Sequence, residues 1–321
     1  MRSFIWKDGE RMIHFGRGKA AEAVDALGGP GYTLLTTERA ASAAPWIAMA
    51  ASAVHQVPPG HVDHIAAELR GTVKGDRLVA LGGGRVIDVT KALVAADGGT
   101  AMAIPTTLSG AEMTQGHRHA RGVDESTPRV RPAVVVFDPE LAASQPVPEM
   151  AASSLNALGH AIEGVCTVRA NPVATLAAHE AARLLEAGWA GREPDRDALA
   201  LGAMLAGYVI DSTGLGLHHV LAQTLVRYAG IGHGPANAAM LPQTIGALAW
   251  RFPDRIAAFG DPAALALSIR ARTGAGGLAD LGVDRAVLPK CADAAAARPQ
   301  LENTPPAADR AEILALYESA L

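Results

Sequence analysis

The sequence has few cysteines, few aromatic residues and little net charge, and each shortage argues against a class of protein. Two cysteines, Cys166 and Cys291, cannot form the disulfide framework of a small secreted domain and are typical of a reducing compartment. The net charge of −4 offers no strong attraction to nucleic acid or to an anionic membrane surface. We therefore expect neither nucleic acid nor a membrane as a partner.

Long apolar runs are also missing. The stretch 40–54 is mostly alanine, contains Pro45, and is shorter than the roughly 20 apolar residues that cross a bilayer. The first residues, MRSFIWKDGERM, carry charges and lack the apolar core of a signal peptide. These features predict a cytoplasmic protein, and 321 residues are enough for two domains with cores of their own.

The two halves of the chain differ in pattern. In residues 1–148, short apolar runs alternate with amphipathic stretches, which is typical of a parallel sheet covered by helices on both faces. The candidate strands are 12–15, 32–36, 54–57, 77–81, 101–104 and 133–137. Later alanine- and leucine-rich stretches predict helices at 151–166, 172–188, 195–212, 216–228 and 235–249. We predict an α/β N-terminal domain, 1–148, and an all-α C-terminal domain, 149–321, with a hinge at 145–148.

Three consecutive glycines follow one of the candidate strands. In LVALGGGRVIDVTKAL (78–93), Gly82, Gly83 and Gly84 allow the backbone to approach a ligand closely, and the N-terminus of the next helix suits a phosphate. Gly82 and Gly84 fit the start of the dinucleotide fingerprint, but Ile87 stands at its third glycine. A tight turn without a ligand is the alternative.

A second loop carries hydroxyl groups. In AIPTTLSGAEMT (103–114), Thr106, Thr107 and Ser109 follow another candidate strand. Open parallel sheets bind ligands at the carboxyl ends of their strands, where hydroxyls hold phosphate oxygens or a carboxamide. The alternative is that Ser109 caps a helix together with Glu112, three residues later. The two loops together predict a Rossmann-like dinucleotide-binding domain.

The predicted helical domain carries three widely spaced histidines, His160, His219 and His233. Asn156 and His160 are four residues apart and share one face of a helix. A carboxylate at position 156 would complete a ligand set for a divalent metal, but an asparagine amide is a neutral and weaker ligand. Taken singly, each histidine is more often a core or surface residue than a ligand.

Six motifs in this order resemble the iron-containing alcohol dehydrogenase superfamily, and the resemblance runs nearly from end to end. They are GGGRVIDVTK (82–91), IPTTLSGAEMT (104–114), DPEL (138–141), SLNALGHAIEG (154–164), GLHHVLAQTL (216–225) and HGPANAAMLP (233–242). The resemblance implies the fold shared by dehydroquinate synthase and iron-containing alcohol dehydrogenases, with a first domain that binds NAD(H) or NADP(H). It also implies a homodimer that acts on a small-molecule substrate.

Within this superfamily the chain is most similar to the maleylacetate reductase branch. Asn156 stands where metal-dependent alcohol dehydrogenases have aspartate, and the pair His218-His219 and the segment 303–306 are also typical of the branch. The resemblance implies NAD(P)H-dependent reduction of a maleylacetate-like keto acid, with metal-free function favoured. A divalent Fe or Zn held by the three histidines is the alternative.

The resemblance assigns roles to two groups of residues. The catalytic group surrounds the reacting carbonyl and consists of His160, His219, His233 and Asn156, with His219 or His233 as proton donor. The cofactor group consists of Gly82, Gly83, Gly84, Arg85, Asp88, Thr106, Thr107, Ser109 and Thr37. Thr37 stands where an acidic residue would favour NAD, and Arg39 nearby would favour NADP, so both cofactors stay open.

The chain departs from the family pattern at several positions. Arg85 replaces the usual serine after the glycines, where a guanidinium either binds a cofactor phosphate or obstructs the usual position of the pyrophosphate. Gln223 stands where a histidine is usual. An expected lysine is missing, with Arg129 or Arg131 as its substitute. These departures keep two rivals open: a metal-dependent alcohol dehydrogenase for a biosynthetic aldehyde, and a family member without hydride transfer that is a lyase, an isomerase or a binding protein.

Overall fold

The computed structural model describes residues 3–142 and 144–321. The chain divides into two compact units. The first comprises Met1–Gln145 and Arg196–Ala200, and the second comprises Pro146–Asp195 and Leu201–Leu321. Among the described residues, the strands belong to the first unit and the second unit is helical.

In the described part of the first unit, seven strands form one sheet in the order β1-β2-β7-β6-β5-β3-β4. β1 and β2 are antiparallel, and the other neighbouring pairs are parallel. The strands are β1 Phe4–Asp8, β2 Arg11–Phe15, β3 Thr33–Thr36, β4 Ala53–Gln56, β5 Arg77–Gly82, β6 Thr100–Pro105 and β7 Val134–Phe137.

The central strands are buried on both faces. In β5, Leu78 and Ala80 belong to one buried cluster, whereas Val79 and Leu81 belong to another. The two-residue period of a strand sends successive side chains to opposite faces, so both faces must be covered. The helices of this unit are α1 Ala23–Ala26, α2 Glu38–Ala43, α3 Pro45–Met49, α4 Val62–Leu69, α5 Gly84–Asp97 and α6 Pro139–Ala142.

The second unit is built around α7, which is buried over most of its length and packs against α8, α10, α11 and α13. Its helices are α7 Val147–Val165, α8 Pro172–Trp189, α9 Arg196–Thr213, α10 Leu217–Tyr228, α11 His233–Arg251, α12 Pro253–Ala257, α13 Pro262–Arg270, α14 Leu288–Ala296 and α15 Arg310–Ser319, except that residues 196–200 of α9 belong to the first unit. Within the described residues no single helix is long and apolar enough to cross a membrane, and only α9 and α10 together, bent by 100°, pass a test of length and composition.

The predicted fold class is confirmed. All six predicted strands are present, each end within one residue of its prediction. β1 was not predicted, because an edge strand alternates half-buried and exposed residues and lacks a continuous apolar run. α7 begins at Val147, inside the segment predicted as a hinge, because a proline in the first turn of a helix loses no hydrogen bond.

Candidate active site

The predicted cofactor residues of the first unit lie at the carboxyl ends of three neighbouring parallel strands. Thr37 follows β3, the three glycines close β5 and open α5, and Thr106 follows β6. The backbone N–H of Thr106 donates to the carbonyl of Gly82 at 3.0 Å. The fold therefore gathers loops that are far apart in sequence at one edge of the sheet.

The glycine loop and the hydroxyl loop pack directly against each other. A Cβ atom at Gly83 would lie 2.8 Å from Cγ2 of Thr107, and one at Gly84 would lie 3.0 Å from Oγ of Ser109. Any larger residue would push the two loops apart. The glycines are therefore required by packing, whether or not a ligand is bound.

The same edge of the sheet fits the phosphates and amide of a dinucleotide. The Thr107 hydroxyl oxygen is buried and has no hydrogen-bond partner among the described residues. The residue before α5 is Gly83, which has no side chain to cap the helix, and the N-terminus of such a helix suits an anion. Arg85 is exposed in the first turn of α5, where its guanidinium can reach a phosphate.

Two predicted cofactor residues have structural contacts of their own. The Thr37 hydroxyl caps α2 by accepting from the backbone N–H of Ala40 at 3.3 Å. Asp88 lies one turn into α5, with Oδ1 2.8 Å from Nζ of Lys91. Lys91 is fully buried and donates to the carbonyls of Ala111, Thr114 and Gly116 at 2.9, 3.0 and 2.8 Å. This ammonium holds the C-terminal part of the hydroxyl loop and the residues just after it.

The histidines of the second unit come from three helices. Asn156 and His160 are buried on α7, and His219 is buried near the start of α10. His233 is the first residue of α11 and is exposed. Burial is the main cause of the lowered pKa of His160 and of His219, and the charge of His233 lowers both further, so His233 lies within electrostatic range of both rings.

The buried imidazoles form a compact stack. The rings of His160 and His219 lie 4.6 Å apart between centroids, with their planes 22° apart. His218 meets His219 edge-on at 4.7 Å and places its Nδ1 2.9 Å from the Thr244 hydroxyl. The structure thus brings His160 and His219 together. His218, for which the sequence predicted no catalytic role, packs against His219 and supports it.

Glu163 ties this stack to the backbone. Its Oε2 lies 2.8 Å from Nδ1 of His219, and its Oε1 accepts from the backbone N–H groups of His218 and His219. Glu163 is fully buried, four residues after Gly159 on the same helix. A carboxylate from α7 therefore caps α10 and fixes an imidazole at the same time.

Gly159 makes room for these contacts. A Cβ atom there would lie 2.6 Å from Nε2 of His218 and 3.6 Å from Cε1 of His219. The absence of a side chain lets α10 place two imidazoles directly on α7. Neither Gly159 nor Glu163 was predicted from the sequence as a functional residue. For Glu163 the sequence offered one signal, its helical spacing, because positions 156, 160 and 163 lie on one face of the helix.

Burial dominates the electrostatics of the stack. It lowers the pKa of His218 and of His219 to about 3, and lowers that of His160 well below its usual value, with neighbouring imidazoles adding to the effect. Burial also raises the pKa of Glu163, against the lowering by His218 and the backbone amides of α10. The imidazoles are therefore neutral near pH 7 and act through hydrogen bonds.

The histidine set does not fit a metal ion as it is arranged. Across residues 3–142 and 144–321, no group of three or more His, Cys, Asp or Glu side chains is positioned to hold one. Each imidazole supplies one in-plane lone pair to a metal, so His160 and His219 alone do not make the four-ligand set that holds zinc. Asn156 adds an amide and no charge.

Several known proteins resemble this chain in sequence and in fold. Residues 150–321 match the Fe-containing alcohol dehydrogenase family, C-terminal. Maleylacetate reductase 1 of Rhodococcus opacus is 34% identical over 278 residues, 82% of this chain and 77% of that protein. The maleylacetate reductase of Sphingobium indicum is 32% identical over 92% of both chains. The crystal structure of maleylacetate reductase from Agrobacterium tumefaciens, 28% identical, covers 100% of this chain and 99% of its own, with a TM-score of 0.83.

The chain belongs to the iron-containing alcohol dehydrogenase family and is an oxidoreductase. Within that family it lies in the maleylacetate reductase branch, as an NAD(P)H-dependent reductase of a small substrate. The predicted family, branch and enzyme class are confirmed. The roles of individual residues stay predictions.

Proposed function

We propose that this protein uses NADH or NADPH to reduce a small keto acid of the maleylacetate type, and that it does so without a metal ion. The similarity to maleylacetate reductases supports the substrate class. One observation carries the rest: His219 is tied to the buried carboxylate of Glu163, while no group of three or more His, Cys, Asp or Glu side chains among the described residues is positioned to hold one ion. An imidazole paired with a carboxylate suits proton transfer.

In this proposal the cofactor supplies a hydride when it is bound. The N-terminus of α5 and the glycines 82–84 hold its phosphates, and Arg85 adds a cation there. Thr106, Thr107 and Ser109 hold the nicotinamide side, supported by the buried Thr107 hydroxyl that lacks a partner among the described residues. Thr37 lies at the adenosine end of the cofactor. Asp88 contributes to cofactor binding indirectly, through its contact with Lys91, which holds the hydroxyl loop.

His219 is the proposed proton carrier. Its Nε2 is buried and has no hydrogen-bond partner in the described chain, so it can meet a substrate atom. To deliver a proton, this nitrogen must first accept one as an imidazolium paired with Glu163. A negatively charged substrate favours the imidazolium and so opposes the lowering of the pKa of His219 by burial.

His160 and Asn156 are the proposed donors to the carbonyl oxygen. Both are buried on α7, one turn apart, and each carries an N–H that can stabilise the negative charge that develops as the hydride arrives. His233, exposed at the start of α11, is the second candidate for proton donation. His218, whose Nδ1 contacts the Thr244 hydroxyl, is assigned a supporting role and does not contact the substrate in this proposal.

A cation beside the same helix supports an anionic substrate. The guanidinium of Arg298 donates from Nη2 to Oε1 of Gln223 at 2.9 Å. Gln223 lies four residues after His219, on the same face of α10. Gln223 thus occupies the position of the family histidine with a side chain that holds an arginine, and we assign Arg298 to a substrate carboxylate.

The proposal is tested by following NADH and NADPH oxidation with maleylacetate, with a monocarboxylic keto acid and with a small aldehyde. Each assay is run before and after treatment with a chelator, and after addition of Fe²⁺ or Zn²⁺. We expect kcat/KM for maleylacetate to exceed that for the aldehyde by about 100-fold, and chelation to leave it unchanged. Loss on chelation with recovery on metal addition establishes the metal-dependent alternative. Absence of turnover and of NAD(P)H binding overturns the oxidoreductase mechanism for this chain.

We propose further that the chain forms a homodimer in the cytoplasm. The resemblance to the family supports the dimer. Cys166 and Cys291 are both free and buried, which suits a reducing compartment. Light scattering on the purified protein and fractionation of cells that express it measure the two properties separately.

A further inference from the structure

The start of α10 is held by two side chains from elsewhere in the second unit: Thr304 accepts from the backbone N–H of Leu217, and Glu163 of α7 binds the next two residues. Oε1 of Glu163 accepts hydrogen bonds from the backbone N–H groups of His218 and His219, and Oε2 faces Nδ1 of His219 at 2.8 Å. Glu163 is fully buried, so water does not compete for these contacts. Both oxygens of the carboxyl group therefore face N–H groups of α10.

These contacts determine which atom carries the hydrogen. Burial raises the pKa of Glu163, but Oε1 accepts from two backbone N–H groups at the positive end of the α10 dipole, and these donors favour the ionised carboxylate. An ionised carboxylate only accepts hydrogen bonds, so the hydrogen of the contact at 2.8 Å belongs to Nδ1 of His219. A neutral imidazole with hydrogen on Nδ1 has a lone pair on Nε2.

We propose that Glu163 is a positioning residue that holds His219 in the tautomer with hydrogen on Nδ1, so that Nε2 is the nitrogen that exchanges a proton with the substrate. The catalytic consequence rests on the proposed function. The tautomer itself does not, because the hydrogen bonds of Glu163 alone determine it.

Glu163→Gln separates the two roles of this side chain. The amide oxygen of Gln still accepts from the backbone of α10, so the cap is kept. The amide nitrogen, in contrast, donates towards Nδ1 of His219, which must then accept. The hydrogen moves to Nε2, and that nitrogen loses the lone pair on which proton exchange depends. Glu312→Gln is the matched control, because it neutralises a carboxylate of the second unit that pairs with Arg251 instead of a histidine.

The first measurement is ¹⁵N NMR of the protein labelled at histidine, with the His219 signals assigned by their loss in His219→Gln. We expect hydrogen on Nδ1 in the wild type and in Glu312→Gln, and hydrogen on Nε2 in Glu163→Gln. A wild-type His219 with hydrogen on Nε2 overturns the proposal, and so does a tautomer that Glu163→Gln leaves unchanged. If Glu163→Gln does not fold, the wild-type spectrum decides alone.

The second measurement is steady-state kinetics with maleylacetate. We expect Glu163→Gln to lower kcat by about 100-fold or more while KM changes less than about threefold. An unchanged kcat after tautomer reversal refutes the catalytic part. If the tautomer reverses as expected but the wild type reduces no keto acid, the proposed function fails and the positioning of His219 by Glu163 stands.

Discussion

The imidazole of His218 lies directly on Gly159, so closely that a Cβ atom at position 159 would be 2.6 Å from Nε2 of that ring. The ring cannot move away freely, because its Nδ1 is held 2.9 Å from the Thr244 hydroxyl. The fit of α10 on α7 therefore depends on the absence of one methyl group.

Gly159→Ala is expected to destabilise the protein by about 1–3 kcal/mol, because overpacking outweighs the better helix propensity of alanine. Urea unfolding measures the change. The matched control is Gly246→Ala on α11, where an added Cβ meets nothing within 4 Å and the helix gains up to about 1 kcal/mol. If Gly159→Ala and Gly246→Ala prove equally stable, the ring of His218 moves aside without loss of stability, and the prediction is wrong.

The sequence predicted the sheet well because β5 and β6 are buried on both faces, and such strands appear as unbroken apolar runs. It predicted Asn156 and His160 as neighbours because helical spacing requires it. It did not predict the stack of His160 on His219, since contact between α7 and α10 is a property of tertiary packing. Nor did it assign Glu163, whose partners lie more than 50 residues away in sequence.

Glu112 predicts an unusual dependence of stability on pH. Its carboxyl group is fully buried, and neither oxygen forms a regular hydrogen bond with other described residues. Burial raises the pKa of Glu112 to about 7, and its own backbone amide with the charges of Lys91 and Arg11 offsets this only in part. A raised folded-state pKa means that the protonated group favours folding at low pH, and that this contribution is lost as pH rises through about 7.

We expect the wild type to lose about 3 kcal/mol of stability from this group between pH 4.5 and pH 9, and Glu112→Gln to abolish that loss. Urea unfolding at several pH values gives both slopes. Glu180→Gln is the control, because hydrogen bonds from Arg183 lower the pKa of Glu180 and place its titration below this window. Parallel slopes for wild type and Glu112→Gln contradict the prediction.

Lys91 is expected to be essential for the loop that follows β6. Lys91→Met leaves the carbonyls of Ala111, Thr114 and Gly116 without their buried donor, at a cost of about 2–4 kcal/mol. We also expect weaker binding of NADH and NADPH, because the released segment adjoins Thr107 and Ser109. Fluorescence titration and thermal unfolding measure the two effects. Lys74→Met, at an exposed lysine of the same unit, is expected to change neither.

Arg298 tests the assignment of the substrate charge. If its guanidinium binds a carboxylate beside Gln223, Arg298→Gln removes a charge-assisted hydrogen bond worth about 1.5–3 kcal/mol. We then expect KM for maleylacetate to rise by about 10- to 100-fold with little change in kcat, and the reaction of a neutral aldehyde to be unaffected. Arg310→Gln, which removes a surface partner of Asp293, is the control for loss of a positive charge in the second unit. An equal rise in KM for charged and neutral substrates would show that Arg298 supports the helix packing instead of contacting the carboxylate.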